Sequence, residues 1–195
     1  MGKQHLILID PGHGGRDSGA AHGGAREADI NLAVASILAG KLRAHNHLVA
    51  MTRWSDVTRP LKKRIEQEQA LQPSLYLSIH CNAALAPEAS GIEVWTSPGD
   101  TEADPAATVI FMALSRALPK RKLRTDLTDG DPDKEARFAV LFKTKCPAVL
   151  VEMGFISNPE ERAWLTDPET HELIASALMA GVSYWLDGKA QEGNA

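Results

Sequence analysis

The fold is decided by Leu6-Ile7-Leu8-Ile9-Asp10-Pro11-Gly12-His13-Gly14-Gly15, a short apolar run broken by turn residues. The run is too short for a helix and suits a buried strand, predicted over residues 5–9. Asp10, Pro11 and the glycines then end it. Gly23-Gly24 keep the backbone irregular until about Glu27. From there Ile30, Val34, Ile37, Leu38 and Leu42 recur at helical spacing to about Arg43. Strand, glycine-rich loop and amphipathic helix make one unit of an alternating α/β fold.

The alternation continues outward. Further strands are predicted over 48–52, over 75–79 running into His80, over 91–96 with Ile92, Val94 and Thr96 on one face, and over 148–152. Pro60 opens a helix that Pro73 closes. Other helices are predicted over 101–118 and 134–142, after Asn158-Pro159, and from Pro168. In the last of these Leu173, Ile174, Ala177, Leu178, Val182, Trp185 and Leu186 form an apolar stripe. Residues 119–132 are polar and read as loop. The pattern is an α/β layer fold with a mostly parallel sheet. It forms one domain over 1–188 and a frayed tail over 189–195.

The 195 residues are 44% hydrophobic, enough for a core without cross-links. A net charge of −4 argues against a nucleic-acid partner. Lys62-Lys63-Arg64 and Lys120-Arg121-Lys122 read as solvated faces, the second offset by Asp126, Asp129, Asp131 and Asp133. The two cysteines, Cys81 and Cys146, read as small buried thiols rather than a bridge. No apolar run approaches the roughly 18 residues of a transmembrane helix, and the first is too short for a signal peptide. A monomer made in the cytoplasm is expected.

Four residues stand at element ends, where α/β proteins place their sites. His13 follows the first strand, Glu27 opens the first helix, His80 ends the third strand and Glu152 ends the strand before Met153-Gly154-Phe155. Catalytic zinc takes three protein ligands and keeps one position open, and two histidines with one glutamate are an established set. A second carboxylate standing off the metal can move a proton from water to a leaving amine. Glu152 is free for that task. The glycine loop lacks the Gly-Lys-Ser/Thr ending of a phosphate cradle. Ser18 is not at the centre of a Gly-x-Ser-x-Gly turn. Cys81 and His80, adjacent on a strand, point to opposite faces.

Four stretches together resemble the zinc-dependent N-acetylmuramoyl-L-alanine amidases of bacterial cell-wall remodelling and phage endolysins. They are residues 9–15 with Asp17-Ser18-Gly19-Ala20, residues 26–33, residues 77–83 with Gly91-Ile92-Glu93-Val94, and residues 147–158. They run in the family's order and span nearly the whole chain. The resemblance implies a three-layer fold with a mixed, mostly parallel sheet of about six strands flanked by helices. It implies zinc held by His13, Glu27 and His80, and Glu152 as the catalytic glutamate. The implied substrate is peptidoglycan, cut between the lactyl group of N-acetylmuramic acid and L-alanine. Thr52-Arg53 and residues 61–64 also match. Arg53 is read as a salt-bridge partner and Arg64 as part of a solvated helix face. Some members carry a long inserted helix that plugs the zinc site. The segment between Trp95 and Pro147 has little room for one, so an open site is expected. No leader or wall-binding module is read in the sequence, so the protein is expected to stay cytoplasmic until released to the wall; a phage-type lysin and a catalytic domain cut from a longer chain would each account for this. Two other functions fit the same pattern: a zinc peptidase on a similar core, and a non-catalytic wall-binding protein. The latter should have lost one of the four residues, and all four are present.

Overall fold

The computed structural model describes residues 4–192, with side chains to residue 189. In chain order the elements are β1 (Leu6–Pro11), β2 (Ala21–His22), β3 (Ala25–Arg26), α1 (Glu27–Ala44), β4 (Leu48–Met51), α2 (Leu61–Leu71), β5 (Leu75–Asn82), β6 (Glu93–Thr96), α3 (Asp104–Ala117), β7 (Lys134–Glu135), α4 (Ala139–Phe142), β8 (Ala148–Phe155), α5 (Pro159–Leu165) and α6 (Pro168–Glu192). Six strands form one sheet in the order β4-β1-β5-β8-β6-β7, and β2 with β3 makes a separate ribbon. The first four strands of the sheet run parallel, β6 is antiparallel to β8, and β7 is parallel to β6. This is the mixed, mostly parallel sheet of six strands that the resemblance implies.

The sheet is covered on both faces, as a parallel sheet requires. On one face α1, α3 and α6 pack on Ile7, Ile9, Leu77, Ile79, Val149 and Val151. The other face is thinner: Leu8, Tyr76, Ala148 and Leu150 meet Val140 and Leu141 of α4. The α6 stripe is buried from Ile174 through Leu186, but Leu173 at its start is 51% exposed. Strand β6 alternates as expected, with Val94 and Thr96 buried on one face and the Trp95 and Glu93 side chains hydrogen bonded to each other on the opposite one. No helix among the described residues is long and apolar enough to cross a membrane.

Two local expectations change, and the free cysteines hold. The helix expected over 134–142 is a two-residue strand followed by one helical turn. Lys134 and Glu135 pair with Trp95 and Thr96, and Ala136 N–H donates to Thr96 O, so the sheet takes the start of the segment. The tail expected from 189 continues α6 to Glu192, and residues 193–195 lie outside the described residues. Both cysteines are free, Cys81 buried and Cys146 half-buried.

Arg53 and Arg64 need correction most. Arg64 is 3% exposed rather than on a solvated face, while Lys62 and Lys63 beside it are exposed. It forms a buried ion pair with Asp10 and donates to Pro11 O at 2.9 Å and His13 O at 2.6 Å. Asp10 also accepts from Thr52 Oγ1 at 2.5 Å and Ser78 Oγ at 3.1 Å. Burial pushes the Asp10 carboxyl up, but the Arg64 charge and the Thr52 hydrogen bond help outweigh it and hold it below the ordinary carboxylate range. Arg53 is 2% exposed and pairs with no carboxylate among the described residues. It donates to the carbonyls of Pro11, Gly12, Ala28 and Ser55 at 2.7–3.2 Å. A buried guanidinium with carbonyl partners fixes backbone that no ladder can hold. The two arginines therefore clamp the glycine loop from below.

Candidate functional site

That loop carries His13 in a left-handed conformation, φ 60°, where a side chain with a Cβ is uncommon. The Arg64 bond to His13 O holds the strained turn. Parallel strand β5 delivers His80 next to it, and the start of α1 delivers Glu27. His13 Nε2 lies 3.3 Å and His80 Nδ1 2.9 Å from Glu27 Oε1. The two imidazoles stand edge to face, with centroids 5.1 Å apart. One donor atom from each of the three residues lies within 4.8 Å of the others.

This approach is possible only without side chains at two positions. A Cβ on Gly12 would fall 2.1 Å from His80 Cε1. A Cβ on Gly19 would fall 2.5 Å from Glu27 Oε2 and 2.7 Å from His13 Cδ2. Glycine at these two places thus makes room for the site itself.

Polar neighbours orient the three residues. Asp17 Oδ2 accepts from His13 Nδ1 at 2.9 Å, which leaves Nε2 facing Glu27. Glu27 is 4% exposed, and its oxygens accept from Asn31 Nδ2, Ala20 N–H and Cys81 N–H at 2.9–3.2 Å. Burial pushes the Glu27 carboxyl up, yet the bonds from both histidines dominate and hold it far below the usual range. The bond to Glu27 lifts His13 to about 9 against the cost of burial, and Glu27's charge and Asp17 add to the rise. Burial lowers His80, but its bond to Glu27 and the charges of Glu152 and Glu27 raise it overall. Attachment to one carboxylate favours the protonated form of both imidazoles, and a bound cation would compete with those protons.

Glu152 does not end its strand as expected: β8 runs on, buried, through Phe155, and Glu152 lies within it, directly opposite His80 in the β5–β8 register. Its Oε2 is buried and has no hydrogen-bond partner among the described residues. Burial, reinforced by the charges of Glu27 and Glu93 and opposed by His80 and His13, pushes its carboxyl up to about 7. That suits a group that must both take and give a proton near neutral pH. Cys81 offers no nucleophile: burial pushes its thiol well above the usual range.

His13, His80 and Glu152 face one cleft of about 450 Å³, walled by Asp17, Arg59, Leu61, Phe138 and Leu150, with Glu27 buried against the two histidines. The His13 and His80 side chains are 28% and 19% exposed to it. The four residues named from the sequence therefore meet at one place. Sequence reasoning missed Asp17, Asn31, Asp10 and the two arginines as its supports. Asp17, four residues past His13, was the one with a local signal.

The donor set fits zinc. Donors about 2.1 Å from a tetrahedral ion lie roughly 3.4 Å from one another, within the spread of this cluster, and two nitrogens with one carboxylate suit that ion. The unpartnered Glu152 oxygen beside them is poised for a water or a substrate atom.

Comparison with known proteins gives a consistent result. Residues 7–184 match the family model described as N-acetylmuramoyl-L-alanine amidase. The chain is 34% identical to the N-acetylmuramoyl-L-alanine amidase LytC of Bacillus subtilis over 92% of its own length, but over only 35% of LytC. It is 30% identical to the N-acetylmuramoyl-L-alanine amidase AmiA of Salmonella typhimurium, covering 96% of this chain and 79% of AmiA. Among solved structures, the amidase AmiC2 of Nostoc punctiforme superposes with a TM-score of 0.86 at 30% identity, over 96% of this chain and 99% of that one.

Proposed function

The chain belongs to the N-acetylmuramoyl-L-alanine amidase family, and from that premise we propose that it is a zinc-dependent amidase of peptidoglycan. It would cut the amide between the lactyl group of N-acetylmuramic acid and L-alanine of the stem peptide. The observation that carries the reading is the meeting of His13, Glu27 and His80 beside a separate carboxylate, Glu152, with both histidines and Glu152 open to one cleft.

His13, Glu27 and His80 would hold the ion. Zinc there supplies Lewis acidity toward a water and the amide carbonyl. The protein does the rest. Asp17 keeps His13 in the tautomer that presents Nε2. Asn31 and the amides of Ala20 and Cys81 fix the Glu27 carboxylate. Glu152 takes the proton from the attacking water and passes it to the departing alanine nitrogen, since an amine leaves only when protonated. The apolar walls from Leu61, Phe138 and Leu150 limit competing water.

The test is product analysis. Zinc-loaded protein should release peptides that begin with L-alanine and leave the lactyl carboxyl free. Chelation should stop the reaction and zinc should restore it. Cleavage between two amino acids with the muramoyl-alanine bond intact would assign a peptidase instead.

A further inference from the structure

Beside Glu152 lies a second charged group that the proposed chemistry does not use. Glu93 is directly opposite Glu152 in the β6–β8 register, and it is 2% exposed. Its Oε1 accepts from Arg124 Nε at 2.6 Å and Lys134 Nζ at 3.0 Å. Its Oε2 accepts from Asn82 Nδ2 at 2.9 Å and Trp95 Nε1 at 3.2 Å. One carboxylate thus accepts from two cations, with Asp126 the further acid that feels the charge of Lys134. Neutralising Glu93 needs only one of them.

Both cations are held in place. Arg124 lies over the Phe155 ring at 5.4 Å and Lys134 over the Trp95 ring at 4.8 Å. Trp95 packs edge to face on Phe138, which walls the cleft. The two terminal amino groups of Arg124 donate to no partner among the described residues, and Lys134 donates only to Glu93. Both side chains keep a face to solvent, 35% and 21% exposed. A rigid, partly exposed guanidinium with its fork free is suited to a carboxylate.

Reach is adequate. Residues directly opposite on antiparallel strands have Cα atoms roughly 5 Å apart, and one extended residue spans about 3.5 Å. A carboxylate one or two residues along the peptide from a bond attacked at Glu152 is therefore within range of this pair, which adjoins the cleft wall through Trp95 and Phe138. Building on the amidase reading, we propose that Arg124 and Lys134, held by Glu93, form an anion subsite for a free carboxylate on the peptide side of the scissile amide. The subsite sorts stem peptides that carry that carboxylate from those in which it is amidated.

The experiment compares two synthetic muramoyl dipeptides that differ only in a free or amidated carboxylate on the second residue, using the zinc-loaded full chain. Wild type is expected to favour the acid about tenfold in kcat/KM, chiefly through KM, the size of one good charge-assisted contact. The preference should shrink as salt is raised. Arg124→Gln and Lys134→Gln should each pull the ratio toward one, and Arg124→Lys should restore part of it. Equal rates on the two substrates in wild type, or a preference that survives in both glutamine variants, overturns the subsite. Cleavage of neither substrate overturns the amidase reading and the subsite with it.

Discussion

Adding one methyl group at Gly12 should remove the metal while leaving the fold. In Gly12→Ala the new Cβ falls 2.1, 2.4 and 2.5 Å from Cε1, Nε2 and Nδ1 of His80. Carbon contacts settle at about 3.5–4.0 Å, so the ring must retreat by more than about 1 Å. Its donor atom sits 2.9 Å from Glu27 Oε1, and metal sites tolerate ligand errors of only about 0.2 Å. Disturbing the mere supports of a ligand costs roughly 10- to 100-fold in metal affinity, and displacing the ligand itself should cost at least the upper figure. Folding suffers less, because His80 is at the cleft and its ring can turn outward. The expected loss is about 1–3 kcal/mol, out of a typical stability of about 5–15 kcal/mol. Zinc affinity measured by competition with a chromophoric chelator, beside urea denaturation of the same sample, separates the two effects. The double variant Gly12→Ala with His80→Ala has no ring to strike. It should regain the stability lost to the clash but not the metal. Wild-type zinc affinity in Gly12→Ala, or an equal loss of stability in both backgrounds, would refute the reasoning.

Other outcomes follow from the same geometry. Glu152→Gln should bind zinc normally yet lose about 10²-fold or more in turnover, read as metal content against kcat, because only proton transfer is removed. Arg64→Met leaves Asp10 buried without its cation and should cost about 3–5 kcal/mol in urea denaturation, whereas Lys62→Met on the same helix should cost almost nothing. In chelated protein His13 is raised to about 9, so its contribution is fully present below about 6.5 and is lost as pH rises through about 9. Zinc must displace that proton. Its affinity should therefore climb between pH 6.5 and 9, with protons released on binding, and calorimetry in buffers of different ionisation enthalpy measures this. A flat affinity over that interval would contradict the raised His13.

The legible parts of this molecule were those with local signals. The apolar runs at β1, β5 and β8 and the proline-bounded helices show in the order of residues alone. So did His13 and Glu27, which follow β1 and open α1, and His80 and Glu152, polar residues closing apolar runs, although β5 and β8 in fact continue past them to Asn82 and Phe155. The supports were hidden because they depend on tertiary contacts. Arg64 occupies a position of α2 that looks solvated between Lys63 and Glu66, and only the sheet beneath turns it inward to Asp10. Arg53 serves four carbonyls of irregular backbone, a partner type without a sequence pattern. Lys134 follows a polar loop and carries no helix-breaking neighbour of its own. Its pairing with β6 and its bond to Glu93 come from elements about 40 residues away.

Zinc content and product identity, read from one digest, decide whether His13, Glu27, His80 and Glu152 form a metal-held amidase site. Intact peptidoglycan is digested with protein of known zinc content, and the fragments are weighed by mass spectrometry with their new amino termini identified. The account predicts about one zinc per chain, free lactyl carboxyls on the glycan and L-alanine at the head of every released peptide. An active protein that holds no zinc, or one that leaves every muramoyl-alanine bond intact, would contradict it.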